Sequence, residues 1–167
     1  MKQHIRCALV EDADTVVGIL EEAVQWLESR GMPMWRSEER DRNQIKADIE
    51  AGQFYLVECD GEPAAIFKFQ LDDTLFWPDL PQGQAAFVHR LAVRRKYAGE
   101  GISSDILVWA TLRTRSLGRA FLRLDCDATR PRLRAVYERF GFRYHSDWHV
   151  GPLYVARYEF DVTILSA

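Results

Sequence analysis

FVHRLAVRRKYAGEGISSDILVWA, from Phe87 to Ala110, is the stretch on which the reading of this chain turns. Counted from Ala85, its first part is AAFVHRLAV, an apolar, β-branched run that predicts a strand. Its last part places Ile102, Ile106, Trp109, Ala110 and Leu117 near one helical face, with Gly118 as the stop. Between the two lies YAGEGISS, two glycines and two serines at the mouth of a helix. A helix start leaves backbone N–H groups without intrahelical partners, and the helix dipole adds partial positive charge there. Glycines let an anion approach the backbone closely, so the turn reads as a phosphate cradle. Ser103 and Ser104 add hydroxyl donors, and Arg94, Arg95 and Lys96 place cations just upstream. No Gly-Lys-Ser/Thr follows, which excludes a nucleotide P-loop. Ser104 stands where the third glycine of a dinucleotide fingerprint belongs. A glycine-assisted turn that binds nothing is the alternative at this point.

Working outward, HIRCALV (4–10) predicts a strand, and Asp12 or Asp14 a cap for a helix carrying Val16, Leu20, Ala23, Val24 and Leu27. Gly31 ends that helix, and Ser37 is positioned to cap a second one with Ile45 and Ile49 on one face. FYLVEC and AAIFKFQL are β-rich runs joined through Cys59-Asp60-Gly61-Glu62, and Asp-Gly between such runs signals a hairpin. A proline-containing loop, LDDTLFWPDLPQGQ, leads to the Ala85 strand. After Gly118 come a short strand (FLRLD), a helix (RLRAVYERF) opened by Pro131 and stopped by Gly141, and two last strands around Gly151-Pro152. The order β-α-α-β-β-β-α-β-α-β-β is mixed α/β with hairpins.

The bulk properties narrow the classes. At 167 residues, 47% apolar and 28% charged, without repeats or a low-complexity linker, the chain reads as one globular domain. A net charge of −3 argues against nucleic acid as partner. Cys7, Cys59 and Cys126 are too widely spaced for a disulfide framework or a metal cluster, and no metal is expected. No run reaches membrane-spanning length and the N-terminus lacks a signal-peptide core, so the expected location is the cytoplasm.

With these elements in place, FVHRLAVRRKYAGEGISSDILVWA resembles the acyl-coenzyme A binding motif of the GNAT superfamily of N-acetyltransferases. RAVYERFGF is similar to that superfamily's second signature, a tyrosine four residues before Gly-Phe. The resemblance implies an α/β fold with a mixed sheet of about seven strands and about four flanking helices, spanning 1–167 as a single domain. It implies an enzyme that moves an acetyl group from acetyl-CoA, or another acyl-CoA, to a small-molecule or peptide amine within a ternary complex. A GNAT-like module that binds acyl-CoA without turnover is the rival reading. A monomer or homodimer is expected.

The resemblance also implies roles. Leu91, Ala92 and Val93 form the strand end whose main chain pairs with the pantetheine arm, at a bulge in the family. Ala98, Gly99, Glu100, Gly101, Ile102, Ser103 and Ser104 form the pyrophosphate cradle. Ala98 replaces the family's Arg/Gln and Ser103 its last small residue, which a cradle built from backbone N–H groups tolerates. Arg130 stands where many relatives carry an Asn, within reach of a phosphate. Tyr137 occupies the general-acid position, a phenol protonated at neutral pH. Its alternative is a core aromatic, on a stripe with Leu133, Val136 and Phe140.

His89 is the candidate base, since an imidazole titrates near neutrality. Strand alternation sets it on one face with Phe87, Leu91 and Val93, so a hydrogen-bonded core histidine is the alternative. Asp125 and Asp127 are the other base candidates. Trp26, Trp35, Phe69 and Trp77 are the candidates for the acceptor pocket, Trp35 and Trp77 ahead because they sit in connectors, with core packing as the alternative. Asp72, Asp73 and Asp79 lie near Trp77 to attract a cationic amine or to keep a loop soluble.

Overall fold

The computed structural model describes residues 1–165. Seven strands run in the hydrogen-bonded order β1-β2-β3-β4-β5-β7-β6: β1 Gln3–Cys7, β2 Phe54–Cys59, β3 Glu62–Gln70, β4 Ala85–Val93, β5 Phe121–Asp127, β6 Arg143–Val150 and β7 Leu153–Asp161. The helices are α1 Ala13–Ser29, α2 Arg42–Glu50, α3 Ile102–Ser116 and α4 Pro131–Phe140. Element order and strand count match the expectation. Contacts gather the chain into two compact units, Met1–Lys68 with Arg90–Ser103, and Phe69–His89 with the chain from Ser104 onward.

In the first unit β1 lies antiparallel to β2, from Gln3↔Cys59 to Cys7↔Tyr55, and β2 lies antiparallel to β3. The hairpin works as its Asp-Gly requires, since Asp60 (φ 50°) and Gly61 (φ 84°) both take the left-handed conformation of a two-residue turn. Val16, Ile19 and Leu20 of α1 and Ile45 and Ile49 of α2 pack with Phe54, Leu56, Ile66 and Ala92 in one buried cluster. Burying each large side chain contributes about 1.5–3 kcal/mol. The end of α1 is a glycine-stopped motif: Met32 N–H donates to Leu27 O and Gly31 N–H to Glu28 O, with Gly31 at φ 68°.

The helix starts differ from the sequence expectation. The first strand stops at Cys7, and Val10–Asp12 form one 3-10 turn before α1. The Asp12 carboxylate accepts from Arg6 and from the Leu9 N–H, so it fastens that turn rather than capping α1. Ser37 begins another 3-10 turn, Ser37–Arg40, and α2 starts later, with Asp41 accepting from Asn43 N–H. An ionised carboxylate is a strong N-cap and helps the N-terminal dipole.

In the second unit β5 runs parallel to β4 over Ala85–Phe87 and antiparallel to β7, which pairs with β6. Trp77, Ala85 and Phe87 form a core cluster flanked by Phe76, Leu80 and Phe121. Leu117, expected on the buried face of α3, lies beyond its last residue and is exposed. Among the described residues no helix is long and apolar enough to cross a membrane.

Candidate active site

Tyr137 owes its placement to the end of α4. Phe142 N–H and Gly141 N–H both donate to Tyr137 O, and Gly141 takes φ 122°. This is a Schellman-type stop, in which the residue after the glycine also makes an apolar contact back onto the last turn. Here that contact is Tyr137 against Phe142, edge to face at 6.1 Å. The Tyr-x-x-x-Gly-Phe spacing is thus a mechanical device that fixes the tyrosine. A side chain at Gly141 would meet Phe160 Cε2 at 3.1 Å.

The Tyr137 ring also packs near Tyr158, at 6.3 Å. Among the described residues its hydroxyl has no hydrogen-bond partner. Burial raises its pKa well above the ordinary phenol value, and the nearby Cys126 and Asp125 push it the same way. The phenol therefore keeps its proton throughout the neutral range and is available as a donor.

His89 lies between two carboxylates. Its Nε2 is 2.7 Å from Asp73 Oδ2, and its Nδ1 is 3.6 Å from Asp125 Oδ2. Asp73 is held on its other oxygen by the backbone N–H groups of Leu75 and Phe76. Burial pushes the Asp73 carboxyl up, but His89 and those two N–H groups outweigh it and hold it below the usual carboxylate range. An ionised Asp73 at 2.7 Å requires the imidazole proton on Nε2. In a neutral imidazole the lone pair would then sit on Nδ1, on the side of Asp125. The same carboxylates would stabilise the imidazolium once it forms, which is how a buried aspartate serves a histidine base elsewhere.

One ligand atom from each of Asp73, His89 and Asp125 falls within 4.8 Å of the others. The two ring nitrogens face different carboxylates. Cys126, next along β5, is no nucleophile, since burial, followed by the Asp125 charge, pushes its thiol up to about 12.

The other candidates have definite places. In β4, Ala92 is buried in the first unit's core, while Leu91 and Val93 are half-buried. Arg90, just before them, has φ 49°, so regular strand geometry breaks there and alternation does not carry His89's face on to Leu91. Gly99 and Gly101 both take left-handed φ, at 84° and 81°, and a Cβ at either would meet nothing within 4 Å. Their requirement is backbone conformation and open approach rather than internal packing. Ala98 and Glu100 are exposed beside them, and buried Ile102 roots the first turn of α3, where Ser103 and Ser104 follow.

The upstream cations already have partners. Lys96 Nζ is 2.6 Å from Glu62, the Arg95 guanidinium stacks on Trp26 at 3.8 Å, and Arg94 is 4.0 Å from Glu22. Arg130 precedes α4 and pairs with Asp127 at 3.3 Å. Trp35 is half-buried with φ 58° and packs on the first unit's core.

Two expectations from the proline-containing loop change with the structure. Trp77, placed in a connector by the sequence, is fully buried between Phe87, His145 and Arg157, and has no surface left for a ligand. Asp79 is engaged by both terminal nitrogens of buried Arg157, at 2.7 and 3.0 Å. It anchors the loop instead of waiting for an amine. Asp73 is the residue whose use was not foreseen. Only its carboxylate type gave a signal, because its partner His89 lies 16 positions away in the chain.

Comparison with known proteins agrees with this fold. The profile of the acetyltransferase (GNAT) family matches residues 20–142. The chain is 32% identical over 144 residues to the uncharacterized N-acetyltransferase YesJ of Bacillus subtilis (strain 168), covering 82% of this chain and 79% of that one. A GNAT-family acetyltransferase from Listeria monocytogenes 4b F2365 has the same fold, with TM-score 0.80, 24% identity and 95% of both chains covered. So has the PaiA N-acetyltransferase from Thermoplasma acidophilum, solved in complex with coenzyme A, with TM-score 0.74, 16% identity, and 96% of this chain and 100% of that one covered.

Proposed function

Because the chain belongs to the acetyltransferase (GNAT) family and is an N-acetyltransferase, we propose that it moves an acetyl group from acetyl-CoA to a primary amine by direct attack. The amine nitrogen bonds to the thioester carbonyl carbon, and the C–S bond breaks. His89 Nδ1 takes the proton that the amine must lose, with Asp73 fixing the tautomer. Tyr137 returns a proton to the departing sulfur. The exposed glycine turn at 98–101 and the first turn of α3 supply backbone N–H groups for the pyrophosphate. Main-chain groups at Leu91 and Val93 serve the pantetheine arm, and an N–H near Leu91 polarises the thioester carbonyl. Arg130 takes a phosphate by exchanging its Asp127 partner. Trp35 is the aromatic assigned to the acceptor side.

The observation that carries this reading is Tyr137, a phenol fixed by a glycine stop and kept protonated by burial. A thermal-shift titration with acetyl-CoA, with ATP and NAD as controls, tests it. Ligand at 100 times its Kd stabilises a fold by about 2.7 kcal/mol, which for a chain of this size is a rise of about 5–10 °C in Tm. A saturable shift with acetyl-CoA alone, followed by amine-dependent release of free thiol, is the expected result. No shift at millimolar acetyl-CoA would overturn the proposal.

A further inference from the structure

Arg90 combines two costs. Its φ of 49° lies in the left-handed region, which disfavours a side chain with a Cβ. Its guanidinium makes no hydrogen bond among the described residues, and its Nη1 is enclosed without a partner. The charges that act on it are Glu39, in the 3-10 turn before α2, and Asp48 on α2. Neither carboxylate accepts a hydrogen bond from Arg90. Asp48 is bound by Lys68 at 3.0 Å and by Gln44 at 3.0 Å, and Glu39 accepts from the Arg36 N–H. Burial outweighs both attractions and lowers the Arg90 pKa. A strained backbone holding a half-buried, unsatisfied cation is the pattern of a residue kept for a ligand.

The ligand is a carboxylate. The planar guanidinium fork matches a carboxylate with two parallel N–H···O bonds. Phosphates of the cofactor have their own cradle at 98–104. Arg90 instead is under the influence of Asp48 and of Glu39, four residues on from Trp35, the aromatic assigned to the acceptor side.

We propose that Arg90 binds the carboxylate of the acceptor, and that the acceptor is therefore an amino acid or another amine bearing a carboxylate. This rests on the acetyltransferase reading for the word acceptor, but not for the binding itself.

Calorimetric titration separates the two. The probes are the standard amino acids, β-alanine and γ-aminobutyrate, each beside its carboxamide, with the wild-type protein and the variants R90Q and R90K. At least one acid is expected to bind at least tenfold more tightly than its amide. R90Q should bring that ratio to about one, and R90K should restore part of it. The acetyl-CoA thermal shift of R90Q should equal that of the wild type, and its ligand-free Tm should not fall, because an unpaired cation has been removed. Equal affinity for acid and amide, a preference that survives in R90Q, or no binding by any probe would each overturn the assignment. Arg90-dependent binding without acetyl transfer would uphold the carboxylate site and sink the acetyltransferase mechanism. Acetyl transfer to the preferred acid at an unchanged rate in R90Q would do the reverse.

Discussion

Replacing Tyr137 by Phe removes one oxygen and leaves the packing that places the ring. The edge-to-face contact with Phe142 and the approach to Tyr158 involve carbons, and the anchoring hydrogen bonds use the Tyr137 carbonyl. The hydroxyl has no partner to lose among the described residues, so stability should change by no more than about 0.5 kcal/mol. The rate should not be spared. Losing a general acid costs about 10²–10⁴-fold, or about 3–5 kcal/mol of transition-state stabilisation at 1.36 kcal/mol per factor of ten. The loss belongs in kcat, because the proton is needed only as the sulfur departs, while acetyl-CoA affinity stays constant.

The pH profile adds a second reading. Burial raises the Tyr137 pKa, so ionisation of this phenol should not limit the wild-type rate below pH about 10. The assay is continuous thiol release at saturating acetyl-CoA between pH 6 and about 10, with Tm measured alongside. A Y137F enzyme with kcat within about threefold of wild type would refute the assignment. So would a wild-type rate that falls with a tyrosine-like pKa well below 10.

Two further substitutions probe what surrounds that proton donor. Gly141→Ala forces a Cβ onto a residue at φ 122° and into contact with Phe160, so it should cost about 2 kcal/mol. It should lower kcat as well, since it disturbs the turn that holds Tyr137; calorimetry and thiol release report both. Asp73→Asn leaves His89 without the carboxylate at its Nε2 and should lower both kcat and Tm, the latter by about 4–8 °C for a loss of about 2 kcal/mol. The folded-state Asp73 pKa is depressed, so its stabilisation is present above the unfolded carboxylate value near 4 and is lost as pH falls through the folded one. The Tm gap between wild type and D73N should therefore close in acid, and a gap that widens below pH about 4 would contradict a carboxylate held ionised by His89 and the Leu75 and Phe76 N–H groups.

Local signals predicted local structure well here. The Asp60-Gly61 hairpin and the Ala85–Val93 strand stand where alternation and turn chemistry put them, because each depends on neighbours within a few residues. The Tyr137–Gly141–Phe142 stop was equally readable, since one helix end contains the whole device. Helix starts were less so. Ser37, Asp41, Asp12 and Asp14 are all competent caps, and what chose among them was tertiary, such as the Arg6–Asp12 pair.

The site was visible as residue types but not as an assembly. Asp73, His89 and Asp125 come from a loop and two strands, and no periodicity links positions that only the sheet brings together. Trp77 shows the opposite failure, in which a proline-containing connector folds inward and carries an aromatic into the core. Arg90 gave no signal at all, because a left-handed residue without a glycine or asparagine leaves no mark in the sequence.

The claim on which the rest depends is direct transfer between acetyl-CoA and an amine. Isotope-labelled acetyl-CoA, incubated with the protein and the amine panel and then resolved by mass spectrometry, tests it in one experiment. The account predicts labelled N-acetyl amine and free coenzyme A in equal amounts, with the protein's own mass unchanged. A labelled acetyl group left on the protein as an intermediate, or no labelled amine from any acceptor, would contradict it.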